Sequence, residues 1–231
     1  MRTQFLAAFF ALAAVGAEAK PIVFTTAQYD TVAFAVSGAL ADASSAATPA
    51  SALPLTSTAT VVGSNDFATS FGLASSGLLS ASAEADSFTG SVGASAGAQT
   101  HFLGSFLGTG VLDLHLGLAS LNSIIGGGAS NATLFVLLTN VLGPTTTTLF
   151  NDFFTAGSGI NLHFNNILGG VTTLDLVLFS EASTTGGGQS AQNFAQVAFD
   201  GTIPAPATPL LVFAGLAALA GTRRKSLTAS A

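Results

Sequence analysis

The sequence predicts an all-β fold, a β-sandwich or jelly-roll-like antiparallel domain, on three observations. The long helix formers Lys, Arg and Glu are nearly absent between Pro21 and Thr202, which removes the usual support for surface helices. Short segments rich in β-branched and aromatic residues alternate apolar with polar side chains, the period of a half-buried strand. Glycine-rich breaks such as Gly126-Gly127-Gly128, Leu142-Gly143-Pro144 and Gly186-Gly187-Gly188 punctuate them, as turns do in a sandwich or barrel.

The segments follow in order. Residues 31–37 place Val32, Phe34 and Val36 on one face. Residues 37–55, built of Ala, Ser, Thr and Pro, read as an extended connection or a disordered loop. Residues 58–62, 67–73 and 78–83 are short strand candidates. Residues 80–100 are low-complexity Ser, Ala and Gly, either a long edge strand or a flexible stretch. Residues 111–118 set Leu112, Leu114, Leu116 and Leu118 on one face and Val111, Asp113, His115 and Gly117 on the other, as a half-buried strand requires. Residues 132–139, 146–154, 160–165, 171–179 and 194–199 read the same way. Asp113-Leu114-His115-Leu116 is echoed by Asn161-Leu162-His163-Phe164, each followed by a Gly pair and a further apolar segment. The echo suggests a repeated hairpin.

Charged residues are 7% of the 231, against roughly 25% in an average soluble chain. No Lys or Arg occurs between Lys20 and Arg223, while ten of the eleven acidic residues, all but Glu18, fall in that interval. A domain with no cations to neutralise phosphate excludes nucleic-acid binding and disfavours adhesion to anionic lipid. A buried carboxylate here must find a backbone N–H, a hydroxyl, a His or a bound cation. With no Cys, disulfides and thiolate sites are excluded, and the core must hold the domain by itself.

The two ends carry targeting patterns. Arg2 precedes an apolar run over 5–15, and Ala17-Glu18-Ala19 supplies an A-x-A cleavage site, so residues 1–19 read as a signal peptide with an apolar helix, cut after Ala19. The all-β extracytoplasmic domain spans 20–202. Beyond it, Ile203-Pro204-Ala205-Pro206-Ala207 leads into an apolar helix over about 209–221, short for a membrane span, closed by the basic cluster Arg223, Arg224 and Lys225. The positive-inside rule leaves that cluster in the cytoplasm and the acidic domain outside.

This tail, residues 203–231, resembles the PEP-CTERM class of sorting signals, in which a Pro-x-Pro motif, a short apolar helix and an Arg-rich end follow one another. It is similar to the variant reading V-P-L-P-A, with Ile203 for Val, Pro204 and Pro206 for the prolines, and Ala207 for the last Ala; Ala205 departs from the pattern. The resemblance implies an exosortase-type sorting peptidase as partner, a transiently membrane-anchored precursor in the inner membrane, and delivery to the cell surface or exopolysaccharide matrix of a Gram-negative bacterium.

No catalytic set stands out. Gly93-Ala94-Ser95-Ala96-Gly97 matches G-x-S-x-G, but a nucleophile elbow needs a strand, a sharp turn and a helix, and no helix follows. Asp113 and His115 share a strand face, and His163 holds the matching place in the echo, so the three could meet as an acid–base pair or metal site; no third ligand is visible. Asn65-Asp66, Glu84 with Asp86, and Asn151-Asp152 are the places where calcium would be sought, without the dense carboxylate run of a strong site. The run Thr145-Thr146-Thr147-Thr148 reads as a strand of high β-propensity. The expectation is a non-enzymatic structural or adhesive surface protein with no metal and no cofactor. The alternatives are a binding module for carbohydrate, calcium or ice, and, last, a secreted hydrolase.

Overall fold

The computed structural model describes residues 19–49, 53–88, 93–108, 110–155, 159–167 and 169–204. Among them the elements are all strands: β1 (Ala19–Pro21), β2 (Thr26–Ser37), β3 (Leu40–Pro49), β4 (Leu55–Val62), β5 (Asp66–Ser75), β6 (Leu78–Ser87), β7 (Ala94–Leu107), β8 (Gly110–Ile125), β9 (Ala129–Leu142), β10 (Thr145–Thr155), β11 (Gly159–Ile167), β12 (Val171–Ser183) and β13 (Gln189–Pro204). No described helix is long and apolar enough to cross a membrane. The expected signal helix, the helix at 209–221 and the cluster Arg223, Arg224 and Lys225 lie outside the described residues.

Two antiparallel sheets form. The first has the order β11-β8-β13-β6-β5-β4, with β1 beside the end of β13; the second has the order β10-β9-β12-β7-β2-β3. They pack face to face, as the alternation predicts. On β12, Thr172, Leu174, Leu176, Leu178, Ser180 and Ala182 are buried while the residues between them face out.

Three expectations are corrected. Residues 37–55 are not a loop throughout, because β3 pairs along its whole length with β2 after the turn at Gly38. Residues 80–100 contain two interior strands and no edge: β6 lies between β5 and β13, and β7 between β2 and β12. The echo is not a repeated hairpin either. Its two members pair with each other, Asn161 opposite His115 and His163 opposite Asp113. Each then crosses to the second sheet, where β9 and β12 pair.

The interior has two halves. One is packed with large side chains, including Phe102, Phe106, Leu112, Leu134, Leu138 and Leu176. The other is almost wholly alanine, with Ala33, Ala35, Ala59, Ala68, Ala85 and Ala96 among its members. Stacked sheets usually stand about 10 Å apart, and short side chains require a closer approach. Hydrogen bonds between the sheets record it: Ser70 Oγ donates to the Phe34 carbonyl at 2.8 Å, and Ser180 Oγ to the Asn193 carbonyl at 3.3 Å. Around Gly72, which has no room for a side chain, the buried hydroxyls of Thr31, Ser57 and Thr100 have no partner among the described residues.

The segment after β1 closes one end of the sandwich. Ile22 N–H donates to the Gly201 carbonyl at 2.8 Å, and Thr25 N–H to that of Ser105 at 2.7 Å, tying the first sheet to the second. Between these bonds the Phe24 ring stands edge-on against Phe102, with centroids 4.9 Å apart, a favoured aromatic geometry.

Candidate functional site

The processing points expected from the sequence meet at one corner. β1 runs antiparallel to the end of β13, with Ala19 opposite Pro204, Lys20 opposite Ile203 and Pro21 opposite Thr202. Ile203 and Pro204, the first two residues of the motif expected to act in sorting, therefore belong to β13, which runs two residues past 202. Ala17, Ala205, Pro206 and Ala207 lie outside the described residues.

On the outer face of the first sheet, β13, β8 and β11 bring the echo residues side by side. His163 Nδ1 is hydrogen-bonded to Asp113 Oδ1, and His115 Nδ1 is 2.8 Å from Asn161 Oδ1. Asp200 stands opposite His115 in the register. Asp113 and His163 thus do meet, as a partly exposed pair on a flat strand surface. Among the described residues no three His, Asp or Glu converge on a point where a metal ion could sit.

The same face carries an apolar row beside a polar one. Phe71, Ser82, Phe194 and Leu121 follow one another across four strands. The next row contains Thr60, Thr69, Glu84, Gln192 and Ser123. Gln192 Nε2 donates to Glu84 Oε1, and the hydroxyls of Thr60 and Thr69 are 2.9 Å apart. Part of both rows lines a shallow depression.

His101 on β7 was not singled out by the sequence. Its Nδ1 is 2.7 Å from Asp30 Oδ2 on β2, and its Nε2 is 2.9 Å from Asp175 Oδ1 on β12. One imidazole bridges three adjacent strands on the outer face of the second sheet. The hydrogen bond to Asp175 and the hydrogen bond and charge of Asp30 outweigh burial and raise its pKa to about 9, so the ring is a cation at neutral pH. The sequence did hold a signal: between Lys20 and Arg223 the three His are the only side chains that can answer a carboxylate with charge.

The other candidates resolve into structural roles. Ser95 sits within β7, opposite Val36 and Ser183, with no elbow turn. Asp152 Oδ1 accepts from its neighbour Phe153 N–H at 2.8 Å, and Asp66 is buried beside Gly63. The threonine run gives Thr148 to a hydroxyl row with Thr139, Thr173 and Ser105, and Ser105 and Thr173 are 3.0 Å apart. The rows on either side hold Val141 with Val171 and Leu137 with Asp175, so no second hydroxyl row forms.

No family model matches the chain, and no curated protein matches it. Among solved structures it is similar to the adhesin domain of Epf from Streptococcus pyogenes, at 11% identity and a TM-score of 0.28, over 79% of this chain and 64% of that one. The chain thus spans less than two thirds of that adhesin domain. It is also similar to a chain of the infectious bursal disease virus Gt strain, at 10% identity and a TM-score of 0.18, over 83% and 67%. Likenesses at these scores carry no argument about activity.

Proposed function

We propose that the protein is an exported cell-surface or exopolysaccharide-matrix component, structural or adhesive and without catalytic activity, sorted by its C-terminal Pro-x-Pro, helix and Arg signal. The observation that supports this reading best is the pairing of Ala19 with Pro204. The two cutting points read from the sequence lie at the paired ends of β1 and β13, at the same corner, so both cuts trim strand ends and leave the rest of the β-sandwich whole. A surface with many acids and few cations suits a hydrated, neutral matrix.

Intact mass and fractionation of the protein from its host, with and without the sorting peptidase, test this. The expected product begins at Lys20, ends just beyond Pro204 and lies in the matrix fraction. A chain that keeps Arg223 to Lys225 in the inner membrane, whether or not the peptidase is present, overturns the sorting.

A second reading, a module that binds neutral polysaccharide, is favoured by the paired rows on the first sheet. Phe194, 41% exposed, offers an apolar face to the C–H side of a sugar ring, while Gln192, Glu84 and Thr69 stand where ring hydroxyls would hydrogen-bond. Calorimetric titration with the host's own exopolysaccharide tests it: binding lost in Phe194→Ala supports the module, and no heat from the wild type removes it.

A further inference from the structure

We propose that the outer face of the second sheet is a self-association surface, through which the protein pairs face to face with a second copy of itself. The inference does not depend on how the protein is sorted.

The face is apolar to a degree that a solvated sheet seldom is. Alternation along a strand exposed to water should set polar residues outward. Here the outward row through the middle is Phe153, Phe135, Val177, His101 and Asp30, the next is Asn151, Leu137, Asp175, Leu103 and Gln28, and further out stand Val141, Val171 and Leu107. Toward one end Phe34, 41% exposed, lies over Gly97, which leaves a smooth surface in place of a projecting side chain.

Charge selects the occupant. Desolvating an unpaired carboxylate is prohibitive, whereas one already bonded to a cation can enter an interface. The two central acids of this face, Asp30 and Asp175, are both held by His101, and Glu181 stands exposed toward one end of it. The outer face of the first sheet carries Glu84, Asp86, Asp113 and Asp200, spread over three strands. Two copies meeting through the second sheet bury the better compensated surface and keep the more acidic ones in water. An anionic lipid surface is repelled by the rest of the domain.

The size fits. Six strands at about 4.8 Å spacing and a 13-residue strand at about 3.3 Å per residue give a face of about 24 by 43 Å, on the order of 1,000 Å². A stable interface needs about 800 Å² from each partner. A two-fold axis through the face would match the patch with itself.

Sedimentation velocity of the full chain tests this, with Val177→Asp on the face and Phe194→Asp on the opposite face of the sandwich as control. Both positions are on sheet surfaces, and circular dichroism verifies that each variant is folded. The wild type and Phe194→Asp are expected to dimerise alike, and Val177→Asp to weaken association about tenfold or more. Because the chain has no Cys, a single thiol gives a second readout. Oxidation should cross-link Val177→Cys into a covalent dimer and leave Gln192→Cys monomeric. A monomeric wild type overturns the proposal, including one that binds polysaccharide through this face. So does a dimer indifferent to Val177→Asp, or equal cross-linking from both thiols.

Discussion

The hydroxyl of Ser70, on one sheet, donates to the main-chain carbonyl of Phe34, on the other, at 2.8 Å. A side chain that reaches the backbone of the facing sheet leaves no layer of large side chains between them. The sandwich is thin at that end, and its cohesion there comes from close contact of alanines and from hydroxyls.

Thr100 tests how well those hydroxyls are matched. It is fully buried and its Oγ1 has no partner. Replacing an unsatisfied buried hydroxyl with a methyl of the same shape removes a desolvation penalty. Thr100→Val is expected to stabilise the protein by about 1 kcal/mol, read as a higher urea midpoint. A midpoint lowered by as much would mean that the hydroxyl is satisfied in solution.

Gly170 has φ +82°, and a Cβ there would stand 2.1 Å from the Val141 carbonyl oxygen. Neither the left-handed backbone nor the carbonyl can give way cheaply. Gly170→Ala is expected to cost about 1–3 kcal/mol, measured as a fall in Tm.

Asp42 closes the side of the sandwich where β3 and β4 run as the two edges. Its Oδ2 accepts from the Thr60 N–H at 2.9 Å, so one donor of the β4 edge is taken. Native proteins often guard edges with lysine, which neither β3 nor β4 contains. Asp42→Ala is expected to cost about 1 kcal/mol or less in stability and to raise light scattering on storage far more than that loss explains.

His101 gives the stability a pH dependence. In the folded protein Asp175 and Asp30 hold the imidazolium up to about 9, against about 6.5 for an unfolded His. The folded state binds this proton more tightly, so the contribution is fully present below about pH 6.5 and is lost as pH rises through about 9. No other titratable group faces the ring from β2 or β12 in the adjoining register. The expected loss is on the order of 1–3 kcal/mol between those limits. His101→Gln should flatten the urea midpoint over that range.

Much of the first sheet was legible. Over residues 111–118 of β8 leucine alternates with other residues, and Leu112, Leu114, Leu116 and Leu118 are indeed the buried face. β3 was not, because Ala and Ser fit either side of a sheet and give no period to read. It is a strand because β2 supplies a partner along its whole length. β7 hid for the same reason, and β6 was read only over residues 78–83, although Ala85 continues the alternation of Ala81 and Ala83 with Ser82 and Glu84. His101 escaped notice because its partners lie 71 and 74 residues away in sequence. Cross-strand proximity of that kind is set by the order of strands and not by any local pattern.

The alanine half of the interior also shapes how stability responds to temperature. The heat capacity of unfolding grows with the apolar area exposed and falls with the polar area. A half lined by Ala33, Ala35, Ala85 and Ala96, with Ser70 and Ser180 among them, exposes little of the first and much of the second. The stability curve of this protein should therefore be broad and shallow, with less of its strength lost on cooling than in a sandwich filled throughout with leucine and phenylalanine.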